Sequence, residues 1–520
     1  MKSHFRTAMA WLHTWTGLPL GWLLYLIFLT GSLGYLDTEI DRWMNPQLLA
    51  QAPLASPPQQ AATALARLQE RAPDAARWFI VLPTDRNDPL VRILWTPQPA
   101  SDGVAARGGS ALLDPVSGQP LGTLHSYGGQ FLYRLHYQLH YLPAPVAHWI
   151  VGLGTLLMLV ALITGVIIHK KIFIEFFTFR PGKGVRSWLD AHNLLSVSSL
   201  PFQLMITYSG LIFFAFTYMP LVVVAHYGLE PASQQSFRNE LFEAGDSYPR
   251  SGTAHALAPL APMLAQAESR WGVGRVNGID IRQPGDAGAR VLLRPNQDSP
   301  LRGGEIMAFD GSDGRLLEIR PAAASTVKAI YDTLLGLHEG LYAGPWLRAL
   351  YLLSGLAGAG MIASGLVLWA EKRRLRAERA SGRRHAGLRL VESLNVGTIL
   401  GLPIAIAGYF WANRLLPETW PQRAAWEGHI LFIVWGLCLL HAALRPSRRA
   451  WLEQAGVAAC AYAAIPLLNI FTSLRHLPAT WIEGDVVFAG FDLATLLVGA
   501  GFAALVWRIS RRPGLAGSLR

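Results

Sequence analysis

Gly17–Leu36 reads GLPLGWLLYLIFLTGSLGYL, twenty residues with no charge among them, and a histidine, His13, stands one helical turn before it. About 20 consecutive apolar residues are what a helix needs to cross the hydrocarbon of a bilayer. The same test is passed by Val146–Ile168, Leu194–Val224, Leu347–Ala370, Leu394–Trp411, Gly428–Leu444, Trp451–Phe471 and Val486–Trp507. Eight crossings are expected, the third long enough to tilt or to project beyond the lipid. Of 520 residues, 51% are hydrophobic and 15% charged, whereas soluble domains carry about 25% charged residues. Disorder is excluded, and two cysteines exclude a disulfide-stapled scaffold. No small-residue cleavage motif precedes Asp37, so the first run reads as a retained anchor.

The net charge of +11 would suggest nucleic acid, but the basic residues border the apolar runs and so report orientation. One side collects 22 of them, from Lys2 and Arg6 through Lys170–Arg186 and Lys372–Arg389 to the tail beyond Arg508. The opposite short loops hold Arg414, Arg423 and Arg475. Both termini are therefore expected in the cytoplasm. The chain divides into a span within 1–36, an outer segment 37–145, a span 146–170, an inner loop 171–193, a span 194–224 and a second outer segment 225–345. A fourth span 346–371, a basic inner loop 372–393, a four-span extension 394–507 and a tail 508–520 complete it.

Spacings recur between the first two spans and the next two. Thr30-Gly31 follow His13 by 17 and 18 residues, as Ser209-Gly210 follow His192. Pro145 precedes Thr164-Gly165, and Pro345 precedes Ser364-Gly365, by the same 19 and 20. Leu139-His140 and Leu337-His338 lie just upstream of those prolines. Tandem duplication is the simplest explanation. Close helix packing also explains small-residue pairs, but it leaves the histidines unexplained. Each outer segment reads as a small α+β module. Helical stretches Ala62–Arg71 and Leu257–Trp271 precede alternating strands at Trp78–Leu82, Val91–Trp95 and Ala111–Leu113, then at Val276–Ile281, Arg290–Leu293 and Glu305–Phe309. The expected fold is a membrane all-α bundle with two periplasmic α+β modules.

Histidine within or at the rim of a membrane span is costly without a partner. His13 and His192 enter from the inner side, and His140 and His338 from the outer side, at matching positions. Imidazoles facing each other across an apolar bundle are what b-type haem requires. His13/His192 would hold an inner haem and His140/His338 an outer one, two in all. His136, a turn before His140, is an alternative to it, and His169 is held in reserve. Rim histidines can instead bond helix ends or lipid headgroups. Arg6 and Arg186 near the inner pair, and Arg134 and Arg348 near the outer, suit haem propionates or lipid phosphates equally. His429 and His441 could mark a further haem-bearing helix. His4, His125, His255, His385 and His476 are expected in solvent. Covalent haem is excluded by the lack of C-x-x-C-H, and iron–sulfur clusters by the two distant cysteines. Gly355–Gly360 lies mid-span with no preceding strand, so the chain offers no flavin or nicotinamide site and no nucleic-acid surface.

At Trp11-Leu12-His13-Thr14-Trp15-Thr16-Gly17, with Thr30-Gly31 and Asp37–Asp41 after it, the sequence resembles the PepSY-associated transmembrane helix family of bacterial inner-membrane proteins. The resemblance recurs at Trp188–His192 through Gly210 and from Leu337-His338-Glu339-Gly340 to Trp369, and covers about residues 1–375. It implies PepSY-type outer modules and a b-haem reductase of ferric siderophores, acting at the periplasmic face to release ferrous iron. Electrons would come from membrane quinol or a separate cytoplasmic reductase. The second half departs from the pattern at Asn193-Leu194-Leu195-Ser196, and the resemblance does not reach the C-terminal spans. Two rivals are a haem-free permease for iron chelates and a non-enzymatic PepSY binding protein. The matching topology of the halves, and the want of a broken helix with intramembrane carboxylates, speak against the permease.

Overall fold

Long uncharged runs fold as helices because, out of water, a helix satisfies every backbone N–H and C=O within the segment. The computed structural model describes residues 2–46, 55–84, 90–98, 108–169 except 116 and 123, 178–214, scattered positions from 224 to 236, 248–323, 325–380 and 385–511. Among these, seven helices are long and apolar enough to cross a membrane: His4–Gly34, Ala144–Ile168, Pro345–Arg379, Ala386–Leu415, Arg423–Leu444, Ser447–Thr472 and Val486–Arg511. Exposed tryptophans cluster at their ends, among them Trp11, Trp149, Trp346, Trp426 and Trp507, as expected of side chains that sit at the headgroup level.

The third crossing departs from expectation. It does not tilt as one rod but breaks into Val185–Ser198 and Leu200–Phe213, bent by 68°. Pro201 has no N–H for the carbonyl of Val197 and its ring crowds that turn. Gln203 N–H resumes the ladder on Ser199 O at 2.8 Å. A break therefore occurs where one continuous, overlong helix was expected. The rest of that predicted crossing, 215–223, lies outside the described residues, as do Lys170, Lys171, Arg383, Arg384 and the tail from 512.

The helical unit comprises residues 1–46, 125–211 and 346–520. In chain order its elements are α1 (Lys2–Gly34), α2 (Asp37–Met44), α4 (Gly128–Gln138), α5 (Ala144–Ile168), α6 (Val185–Ser198) and α7 (Leu200–Phe213). There follow α10 (Pro345–Ala380), α11 (Ala386–Ile399), α12 (Gly401–Leu415), α13 (Arg423–Leu444), α14 (Ser447–Ala463), α15 (Ile465–Thr472), α16 (Leu477–Glu483) and α17 (Val486–Arg511). The C-terminal spans are joined to the first by polar bonds. Trp22 Nε1 donates to Asn395 at 2.9 Å and Tyr25 to Ile399 O at 3.0 Å. Deeper, Glu427 is fully buried and accepts from Asn413 at 2.9 Å, Arg423 at 2.7 Å and Ser126. Arg414 lies over the Trp43 ring at 3.8 Å and donates to Asn469 at 2.7 Å, which donates on to buried Asp492 at 2.9 Å. Two arginines and two carboxylates balance within this network.

The second unit comprises residues 47–124 and 212–345. It contains α3 (Pro57–Arg71), β1 (Ala75–Val81), β2 (Val91–Pro97), β3 (Gly109–Leu113), α8 (Leu260–Trp271), β4 (Val276–Arg282), β5 (Arg290–Pro295), β6 (Ile306–Asp310), β7 (Leu316–Arg320) and α9 (Thr326–Glu339). The two polar segments do not form separate sheets. Their strands join in one antiparallel sheet of order β3-β2-β1-β4-β5-β6-β7, with Arg77 opposite Arg282 and Ile80 opposite Ile279 at the junction. Strand alternation puts Trp78, Ile80, Ile93, Ile279, Ile281, Val291, Leu293 and Phe309 on one face, in one core with Leu68 of α3 and Met263 and Leu264 of α8. Strand β7 was not foreseen.

Beside this core, buried Asp286 accepts from the Ser251 hydroxyl at 2.7 Å and from the N–H groups of Ser251, Gly252 and Gly288 at 2.7–2.9 Å. The Ser251 hydroxyl foremost, with those amides, holds its carboxyl well below the usual carboxylate range against the opposing effect of burial. A carboxylate depressed on folding stabilises above its unfolded pKa, about 4, and loses that contribution as pH falls through the folded value. The thermal midpoint of this unit should drop between pH 5 and strongly acidic pH. Asp286→Asn should start lower at pH 7 and show a flatter acid dependence by near-ultraviolet circular dichroism. An unchanged acid slope would show that other groups carry it.

Candidate functional site

On α1 and α6, His13 and His192 face each other with ring centroids 6.3 Å apart and planes at 71°. Nδ1 of His13 meets the carbonyl of Ala161 on α5 at 2.9 Å, and Nδ1 of His192 meets that of Met361 on α10 at 2.8 Å. A carbonyl only accepts, so Nδ1 carries the proton and Nε2 keeps its lone pair.

The Thr/Ser-Gly pairs explain this seating. One turn beyond Ala161 lies Gly165, where a Cβ would come within 3.3 Å of His13 Cε1. One turn beyond Met361 lies Gly365, where a Cβ would come within 3.1 Å of His192 Cε1. Residues four apart share a helix face, so each glycine makes room for a ring and the carbonyl a turn earlier takes its proton. The Thr164 hydroxyl bonds Ala161 O at 3.1 Å, and that of Ser364 bonds Met361 O at 2.9 Å. Close packing is what the small residues provide, and what they pack against is histidine.

Both rings line a cavity of about 570 Å³ whose walls include Leu24, Met158, Leu162, Leu200, Ile362 and Leu366. His169, just past the end of α5, and Trp369, at the corresponding place within the longer α10, also line it, and His169 Nε2 is buried without a hydrogen-bond partner. The cations are not those expected. Arg6 donates to Ile168 O at 2.6 Å, and Arg186 is exposed and absent from the lining. Lys372, Arg373 and Arg376 line the cavity instead, Arg373 lying 4.4 Å over the Trp369 ring. The sequence showed them only as part of a basic loop; their signal was 1,2,5 spacing on a helix that runs on past the lipid.

The outer candidates are placed differently. His136, not His140, occupies the position comparable to His13: its ring packs 3.6 Å from where a Gly31 Cβ would stand, and its Nδ1 bonds Tyr133 O. It sits near the end of α4, as His338 sits near the end of α9. His140 lies past the end of α4 in a left-handed turn with Leu139. Its ring contacts Phe131, Phe432 and Tyr141, with His429 at 6.5 Å. His338 belongs to the second unit, where its ring meets Phe213 at 5.2 Å. Arg348 pairs with Glu39 at 3.1 Å, and Arg134 lies near half-buried Asp41.

The remaining histidines have other partners. His429 Nδ1 accepts from Tyr141 at 2.6 Å, and His441 meets Glu453 at 2.8 Å. His4, His125, His255 and His385 are exposed, while His476 is half-buried and caps α16 through Ala479 N–H. No group of three or more His, Cys, Asp or Glu able to hold a metal ion occurs among the described residues.

A bundle of apolar spans with two imidazoles lining one cavity defines a multi-pass membrane protein. Residues 10–372 match the family described as the PepSY-associated TM region. The chain belongs to that family. It is also 26% identical over 401 residues to an uncharacterized protein of Pseudomonas aeruginosa, an alignment covering 71% of this chain and 91% of the relative.

Proposed function

We propose that this protein is a b-type haem protein of the bacterial inner membrane that passes electrons to ferric chelates at the periplasmic face, with both termini in the cytoplasm. The observation that carries the reading is the inner histidine pair. Imidazoles bound through one nitrogen each at about 2 Å to a shared metal place their ring centroids about 6 Å apart, and His13 and His192 stand at 6.3 Å. Two imidazoles on one cavity suit a metal held in a macrocycle that supplies its other ligands.

The residues fit such a group. His13 and His192 would hold the iron through Nε2, their orientation kept by Ala161 O and Met361 O. The aliphatic walls would keep water from a bound macrocycle, and Lys372, Arg373 and Arg376 would take the propionates. Haem would supply one-electron exchange. Toward the other end of the bundle His136, packed on Gly31, is the better ligand candidate than His140. Corresponding seating of His13 and His192 supports duplication of the first four spans, and the shared order of a helix followed by antiparallel strands (α3 with β1–β3, α8 with β4–β7) supports a pair of fused PepSY-like modules.

The bend at Ser199 suits the permease reading, since broken spans carry sites in transporters. Electron transfer separates the two. Dithionite-reduced protein mixed anaerobically with an Fe(III) chelate should lose its reduced haem bands and colour a ferrous trap, about one iron per haem. A spectrum that stays reduced, or a colourless preparation, would favour the permease.

A further inference from the structure

Leu388, Val391, Asn395 and Ile399 recur along α11 at helical spacing and so share one side of it. Leu388 and Val391 are buried with Ala370 of α10, and Leu18 and Trp22 of α1 and Trp369 of α10 pack against them. Leu18 and Trp369 also line the cavity shared by His13 and His192. The first helix of the C-terminal extension therefore backs the wall of that cavity.

Asn395 is the polar member of this stripe, and it is buried. Burying an amide is costly unless its groups are paired. Both are: Oδ1 accepts from Trp22 Nε1 at 2.9 Å, and Nδ2 donates to Leu366 O at 3.2 Å. One side chain thus joins α1 to α10. Trp22 lies on the helix that carries His13, and Leu366 follows Gly365, which gives the His192 ring its room. Further along the stripe Tyr25 donates to Ile399 O at 3.0 Å and ties α1 again. Where α1 meets α10, a Cβ at Gly21 would come within 2.6 Å of Leu366 Cδ2. The two helices are as close there as they can be, so they are free to slide or part but not to close further.

A polar side chain set in an apolar seam fixes register more than it adds stability, because sliding leaves its donor and acceptor unpaired. We infer that Asn395 is a positioning residue for the inner histidine pair, through which the C-terminal extension holds the width of the cavity. The placement of α1 against α10 stands on these three helices alone; its consequence for a haem rests on the reading above. Without the amide, His13 on α1 is no longer held at a fixed distance from the Met361 carbonyl that seats His192.

The test uses the full-length protein in nanodiscs, with Cys438 and Cys460 replaced by serine. Nitroxides are placed at Ala8→Cys, near the start of α1, and Arg379→Cys, near the end of α10, both exposed. Pulsed double electron–electron resonance should give one narrow distance. Asn395→Leu, close in volume but lacking the amide, should widen the distribution about twofold. Trp22→Phe should do the same, and the double variant should add nothing, because both remove one bond. Tyr462→Phe removes a bond to Pro403 O within the extension and should leave the distance as in the wild type. In haem-loaded protein the low-spin ferric signal should shift in the first two variants and not in the third. An unchanged distance in both Asn395→Leu and Trp22→Phe, or an equal change in Tyr462→Phe, overturns the inference. So does a lower thermal midpoint with no change in distance, which would make the bond structural only. The distance needs no haem, so the two readings can fail separately. Widened distances in a colourless protein would defeat the haem reading only; constant distances in a haem-loaded protein would defeat the positioning role only.

Discussion

His13→Ala and His192→Ala should each purify with one haem fewer than the wild type, and the double variant should lose no more than either single one. If both imidazoles hold one haem, as proposed, removing either leaves one histidine where two converge on the cavity. The carbonyls of Ala161 and Met361 would then face space left by the ring. Exogenous imidazole should restore part of the content, because the cavity and its Lys372, Arg373 and Arg376 lining persist. Haem is counted by its pyridine derivative against polypeptide. His140→Ala is expected to retain more haem than His136→Ala. Full content in both inner variants would remove the pair from the ligand set.

Glu427→Leu should destabilise the helical unit by about 3–5 kcal/mol, the cost of stranding a buried charge by removing its partner. Arg423, only 9% exposed, would lose its carboxylate while still pointing at His125 O and Leu416 O. Arg423→Leu added to Glu427→Leu should recover a large share of the loss, because an apolar pair of similar volume avoids the desolvation penalty. Both are read by thermal unfolding in detergent through intrinsic tryptophan fluorescence. Because the network includes Ser126 and Trp43, the single variant should also lower haem content on heating before the double variant does. Equal destabilisation by single and double variants would mean that packing, not charge, matters at this site.

Much of the helical unit was legible because the bilayer imposes a length and excludes charge, a constraint readable residue by residue. Family membership was legible from Trp11–Gly17 and its recurrences, and the match over residues 10–372 bears it out. The approach of His13 to His192 could be anticipated because equal spacings put them at equal depth. The fusion of the two polar segments into one sheet was not legible. Alternation in Trp78–Leu82 and Val276–Ile281 gives the buried face of each strand but not its neighbour some two hundred residues away. The bend at Ser199 was hinted at by Pro201 within an overlong run; length was read as tilt. His140 drew attention by its spacing to Pro145, yet spacing along the chain does not reveal that α4 ends at Gln138 and turns left-handed before it. Arg414, Arg423, Glu427 and Asp492 were visible as charges inside or beside apolar runs, but which would pair with which depends on helix neighbours that only the fold supplies.

The most direct measurement is the absorption and low-temperature electron paramagnetic resonance spectrum of the full-length protein purified with haem supplied during expression. A Soret band that shifts on dithionite, with a low-spin bis-imidazole ferric signal that is missing one component in His192→Ala, is the predicted result. A colourless protein, or a haem signal identical in wild type and His192→Ala, would contradict it.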